Sequence, residues 1–142
     1  MKRIAVIYWS GTGNTEMMAE AVAEGANING NMVKLLKVED ATKEDVLNSD
    51  AVALGCPSMG AEELEEEYME PFIESLEDVD FTDKPVALFC SYDWGAGEWI
   101  REWEERMKKY GAKLVDEGLI IQLTPDEKGL QTSKELGWKL AK

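Results

Sequence analysis

The chain has 142 residues, with 15 Lys plus Arg against 29 Asp plus Glu and no histidine, which leaves a formal charge of −14 at neutral pH. A hydrophobic share of 44% suffices for the core of one ordinary domain spanning residues 1–142 and argues against disorder. The missing histidines exclude Ser-His-Asp and Cys-His catalysis and imidazole-ligated metals, two cysteines cannot close a Cys-rich zinc site, and the acidic balance makes nucleic acid and anionic membranes poor partners and basic proteins better ones.

In chain order, Arg3–Trp9 predicts a first strand. Its six apolar or aromatic residues from Ile4 to Trp9 are too few for a signal h-region or a membrane span, so the expectation is a cytoplasmic protein. A helix is predicted over Asn14–Ala26, with Met17, Met18, Ala21, Val22 and Gly25 at helical spacing and Asn14 or Thr15 as its cap. Further strands are predicted at Met32–Val38, Ala51–Cys56, Pro85–Ser91 and Lys113–Leu123. The intervening helices are Thr42–Asn48, Leu64–Leu76, Gly97–Tyr110 and Pro125–Leu140, with Pro125 placed in a first turn. Trp99, Ile100, Trp103, Met107 and Tyr110 share one helix face and read as core. Cys56 and Cys90 end apolar runs and read as buried, reduced thiols.

Val, Ile and Leu fill both faces of these runs, as in strands covered on both sides. Alternation of strand and helix means right-handed crossovers and a parallel sheet, hence an α/β, three-layer, doubly wound architecture. Ligands of such a sheet sit beyond the carboxyl ends of its strands, which directs attention to the loops after strands one, three and four.

The first loop, Ser10-Gly11-Thr12-Gly13-Asn14-Thr15, runs from a strand into a helix, so backbone N–H groups and the helix dipole face an anion alongside four hydroxyl or amide side chains. No lysine follows Gly13, and Glu16 stands where a dinucleotide fingerprint has its third glycine. A phosphomonoester held by neutral donors is therefore favoured over a nucleoside triphosphate or a dinucleotide. The second loop reads Gly55-Cys56-Pro57-Ser58-Met59-Gly60-Ala61-Glu62. Met59 sets a thioether against a flat ligand, or it fills a core gap and Glu62 complements a helix dipole. In the third, Ser91-Tyr92-Asp93-Trp94-Gly95-Ala96-Gly97, Trp94 is a stacking platform or a chance exposed aromatic. Together the loops supply a phosphate cradle and two walls for a planar heterocycle, and flavin mononucleotide (FMN) is such a molecule.

These residues resemble the flavodoxins of the short-chain type over the whole chain. The specific match is Tyr8-Trp9-Ser10-Gly11-Thr12-Gly13-Asn14-Thr15, supported by Gly55 to Gly60 with Glu62, by Ser91-Tyr92 with Trp94-Gly95, and by a fifth strand without a long insertion. The resemblance implies a five-stranded sheet of order 2-1-3-4-5 with FMN at its switch point. It implies that Ser10 to Thr15 hold the phosphate, with Ser58 and Ser91 as further donors. Met59 and Trp94 would cover the two faces of the isoalloxazine ring, and Pro57 and Tyr92 would belong to the same FMN-binding loops. Gly60, with Ala61, would turn a carbonyl to N5, Glu62 would meet N3–H, and the N–H groups of Asp93 and Gly95 would serve the pyrimidine edge, with Gln122 beside the ribityl chain. Asp93 and Ala61 depart from the family pattern and should tune the site.

The function so implied is a low-potential one-electron carrier, monomeric, docking transiently on basic or positively patched redox enzymes. An acidic site disfavours a second electron on the flavin, which makes the fully reduced form a strong reductant. The glutamate-rich stretch Glu62–Glu70, where six of nine residues are Glu, reads as the surface that steers such partners, or as a solvated helix face. The alternative is an FMN-dependent NAD(P)H or quinone oxidoreductase on the same fold, for which Trp94 and Met59 leave no room beside the ring. A phosphatase loop needs an arginine six residues after its cysteine, where this chain has Glu62 and Ala96. A receiver domain needs acidic residues where Tyr8-Trp9 and Gly55-Cys56 stand.

Overall fold

The computed structural model describes residues 1–11, 13–58, 65–92 and 98–142, Glu98 by its backbone alone. In chain order it contains β1 (Arg3–Tyr8), α1 (Asn14–Ala26), β2 (Met32–Lys37), a 3-10 turn at Val38–Asp40, α2 (Lys43–Leu47), β3 (Ala51–Gly55), α3 (Met69–Glu74), β4 (Pro85–Tyr92), α4 (Glu98–Lys109), β5 (Lys113–Leu114), β6 (Leu119–Gln122) and α5 (Glu127–Ala141). The strands pair in the order β2-β1-β3-β4-β5, with β6 also on β4, and every pairing is parallel. The expected α/β doubly wound sheet is therefore present.

Alternate residues of the central strands feed two cores. Ala5, Ile7, Val52, Leu54, Val86 and Leu88 join Val46 of α2, Phe72 and Ile73 of α3 and Ile100 and Met107 of α4 on one face. Ile4, Val6, Ala51, Ala53, Ala87 and Phe89 meet Met18 and Val22 of α1 and Leu136 and Leu140 of α5 on the other. Burial on both faces explains why the strands read as continuous apolar runs. Trp99 and Trp103 are buried and stacked, with ring centroids 5.8 Å apart.

Helices α1 and α5 approach backbone to backbone. A Cβ on Gly25 would lie 1.9 Å from the Lys134 carbonyl oxygen, and one on Gly137 would lie 2.0 Å from that of Val22. Only glycine fits either place.

Four expectations are corrected. The fifth apolar run is two strands, not one, because the turn between them is bound to a buried side chain of α4: Gly118 N–H donates to Glu104 Oε2 at 2.6 Å, and Arg101 Nη1 donates to Glu104 Oε1 at 2.7 Å. The third helix is the short α3, since Pro71 is tolerated only in a first turn and would clash inside a helix begun at Leu64. Helix α5 starts after Pro125, because Asp126 is its cap, with Oδ1 accepting from Gly129 N–H at 2.7 Å. Helix α1 is preceded by Gly13 at φ 97°, a left-handed conformation suited to glycine, and neither Asn14 nor Thr15 caps it. Ser10 does that work from three residues upstream, its Oγ accepting from the N–H groups of Gly13 at 3.0 Å and Glu16 at 3.3 Å.

Candidate functional site

The carboxyl ends of β1, β3 and β4 lie side by side, since Tyr8 pairs with Gly55 and Gly55 with Phe89. Main-chain bonds extend this register past the strands: Trp9 N–H donates to Gly55 O at 3.0 Å, Cys56 N–H to Phe89 O at 3.2 Å and Ser58 N–H to Ser91 O at 2.9 Å. A Cβ on Gly55 would fall 2.0 Å from the Phe89 ring, so this close approach also needs glycine. The three loops singled out by sequence thus leave one edge of the sheet.

At that edge Ser10, Gly11, Gly13, Asn14 and Thr15 surround the first turn of α1. Gly13 has nothing within 4 Å of the place its Cβ would occupy, while a Cβ on Gly11 would come within 3.0 Å of the half-buried Trp9 ring. Thr15 is buried, and its Oγ1 lies 2.7 Å from Ser91 Oγ at the end of β4. Asn14 is drawn to the loop after β6, where Thr124 Oγ1 donates to its Oδ1 at 3.1 Å. Sequence reasoning missed Thr124, and a polar residue directly after the predicted run Lys113–Leu123 was the available signal. Pro57, Ser58 and Tyr92 are half-buried around the same edge. Thr12, Met59, Gly60, Ala61, Glu62, Asp93, Trp94 and Gly95 lie outside the described residues.

Electrostatically the edge is neutral to acidic. Burial, and then the neighbouring Glu16, raise the Tyr8 phenol above its ordinary value. Burial pushes the Cys56 thiol up to about 12 and raises that of Cys90 as well. Both are free, buried thiols and so unreactive ones. Hydroxyls, a helix N-terminus and an open glycine at positive φ, without a Lys or Arg in the loop, fit a terminal phosphate bound by neutral donors.

The glutamate-rich stretch divides. Glu66 and Glu67 are exposed, but Glu65 is buried, and Glu70 takes a two-pronged bond from Arg106 Nη1 at 2.8 Å and Nη2 at 2.6 Å. The Glu70 contact is the first cause of a raised Arg106 pKa, with a hydrogen bond to Tyr110 adding to it. Glu65 and Glu70 thus serve the fold, which leaves fewer carboxylates of the stretch in water than the sequence suggests.

An open parallel sheet with donor-rich loops at its carboxyl edge defines a mononucleotide-binding α/β protein. The family model for flavodoxin matches residues 6–137. The flavodoxin of Clostridium beijerinckii is 48% identical over 136 residues, covering 96% of this chain and 97% of that one. The flavodoxin of Megasphaera elsdenii is 40% identical over 139 residues, covering 98% of each. A solution structure of two-electron reduced Megasphaera elsdenii flavodoxin superposes with a TM-score of 0.83 at 39% identity over 97% of this chain and 98% of that one. The chain belongs to the flavodoxin family, of the short-chain type: it is an electron carrier that works through noncovalently bound FMN and not an enzyme. No helix among the described residues is long and apolar enough to cross a membrane.

Proposed function

We propose that the 142 residues act as one FMN-binding unit, with the phosphate on Ser10, Gly11, Thr12, Gly13, Asn14 and Thr15 and the ring between the loops that begin at Pro57 and Tyr92. The observation that carries this reading is the meeting of Thr15 and Ser91, 2.7 Å apart, which draws the first and third of these loops to one point. FMN supplies one-electron chemistry at its ring. The chain's own residues bind, orient and shield it. The start of α1 faces the anion, Ser10 organises that turn by accepting from the Gly13 and Glu16 N–H groups, and Ser58 and Ser91 flank it. On this reading Met59 and Trp94 would wall the ring, Gly60 with Ala61 would offer a carbonyl to N5, Glu62 would meet N3–H, and Asp93 and Gly95 would supply N–H donors.

The net charge of −14 supports transient docking of a monomer on positively patched redox enzymes in a reducing cytoplasm, where Cys56 and Cys90 stay as thiols. Purified protein should be yellow, with one FMN and no FAD released on denaturation. Colourless protein that fails to take up added FMN would overturn the reading. Steady-state oxidation of NAD(P)H by the pure protein would favour the oxidoreductase alternative instead.

A further inference from the structure

The chain leaves β6 through a strained turn. Leu123 stands at φ 58°, a left-handed backbone unfavourable for a bulky side chain. Its own side chain gains no burial there, being 53% exposed. What the turn secures lies on either side of it. The Leu123 N–H donates to Tyr92 O at 2.8 Å, which pins the turn to the end of β4. Thr124 comes next, directly before Pro125, and a residue in that place is confined to extended backbone. Pro125 is buried, and Asp126 caps α5. The place of Thr124 is therefore fixed from both sides, although Thr124 itself is exposed and belongs to neither core.

Its hydroxyl reaches the other end of the chain, donating to Asn14 Oδ1 at 3.1 Å although 110 positions separate the two residues. An exposed bond of this kind adds little stability, since water serves both partners. Its consequence is orientation. An amide has an accepting end and a donating end, and the group that holds one decides which way the other faces. The Thr124 hydroxyl occupies the accepting end of Asn14, and nothing among the described residues accepts from Asn14 Nδ2. Asn14 is the first residue of α1 and does not cap it, so the amide is not spent on the helix, yet it stands beside the unpaired N–H groups of the first turn. An Oδ1 turned to an anion would repel it. An NH2 group turned the same way adds a charge-assisted donor to a loop that has no Lys or Arg.

We propose that Thr124 is a positioning residue for the FMN phosphate: its hydroxyl holds the Asn14 amide with the oxygen turned away from the anion and the NH2 group toward it. The inference rests on the assignment of Asn14 to the phosphate. It needs no contact between Thr124 and FMN.

The test titrates the apoprotein with FMN, with riboflavin and with inorganic phosphate, in the parent, Thr124→Val, Thr124→Ser, Asn14→Ala and the double variant Thr124→Val with Asn14→Ala. Because Thr124 is exposed, its substitutions leave the core untouched. Thr124→Val should weaken FMN and inorganic phosphate by about threefold to tenfold and leave riboflavin, which lacks the phosphate, within about twofold. Thr124→Ser restores the donor and should bind all three as the parent does. The double variant should bind FMN no more weakly than Asn14→Ala alone, since without the amide Thr124 has nothing to orient. Parental FMN and phosphate affinity in Thr124→Val beside a weakened Asn14→Ala would overturn the proposal and leave Asn14 as a phosphate ligand. Parental affinity for both in Asn14→Ala would instead remove Asn14 from the phosphate site, and the proposal with it. Riboflavin weakened as much as FMN, Thr124→Ser as weak as Thr124→Val, or full additivity in the double variant would each overturn it as well, because Thr124 would then act through the turn as a whole and not through the Asn14 amide.

Discussion

The hydroxyls of Thr15 and Ser91 share one hydrogen bond of 2.7 Å in the protein interior, joining the first turn of α1 to the end of β4. Among the described residues each hydroxyl bonds only to the other, so removing one strands its partner. Thr15→Val keeps the shape but leaves Ser91 Oγ buried without a partner, which costs about 1–3 kcal/mol. Urea unfolding of the apoprotein should show that loss, and FMN affinity should fall with it. Thr15→Val with Ser91→Ala should recover part of the stability, because a missing pair costs less than a stranded group. Strict additivity would mean that the hydroxyls do not act as a pair.

Gly137→Ala tests the contact between α1 and α5. In an isolated helix the change would stabilise by up to about 1 kcal/mol. Here the new Cβ would stand 2.0 Å from the Val22 carbonyl oxygen, and a backbone carbonyl cannot swing aside without moving α1. We expect the overpacking to win, with a net loss of about 1–3 kcal/mol in urea unfolding. An unchanged or higher midpoint would show that the helices can separate at little cost.

Alkali should destabilise the protein through its thiols. The folded Cys56 pKa, pushed up to about 12 by burial, lies above the value of roughly 8.5 for an unfolded cysteine. A raised folded pKa contributes stability that is fully present below the unfolded value and is lost as pH rises towards the folded one. Between these limits each such thiol removes about 1.4 kcal/mol per pH unit. Cys56→Ala should flatten the decline above pH about 9 relative to the parent. Equal slopes in the two proteins would contradict the burial argument. Ellman's reagent should find both cysteines only after unfolding.

Glu104→Ala should loosen the turn between β5 and β6. It removes the acceptor for the Gly118 N–H at 2.6 Å and leaves Arg101 with its longer pair to Glu117 at 3.8 Å, at a cost of about 1–3 kcal/mol for the stranded N–H. Hydrogen exchange at Gly118 should accelerate well beyond that in β1. Retained protection at Gly118 would show that water or another group takes over the bond.

The strands were legible because burial on both faces leaves an unambiguous apolar run, and the first loop because Gly13 must be glycine to turn left-handed into α1. The break in the fifth run was not legible: its cause, Glu104, lies on another element, and nothing near Gly118 announces a carboxylate that comes from α4. The short α3 could have been read correctly, since Pro71 forbids the longer helix. The glutamate-rich stretch shows the limit most sharply. Glu65 and Glu66 are chemically identical in the sequence, and only the meeting of the Glu67, Tyr68 and Met69 N–H groups at one carboxylate turns Glu65 inward and leaves Glu66 in water.

The glycine contact between α1 and α5 also bears on how the protein is made. More than a hundred residues separate Gly25 from Gly137. During synthesis the apolar stripe of α1 therefore emerges long before the helix that covers it, and with it one of the two cores stays open until α5 has been made. The neighbouring strands wait in the same way for their crossovers, as high contact order dictates. A nascent chain halted before α5 would expose Met18 and Val22, which are fully buried in the finished fold, and would be a substrate for chaperones rather than a smaller version of the protein.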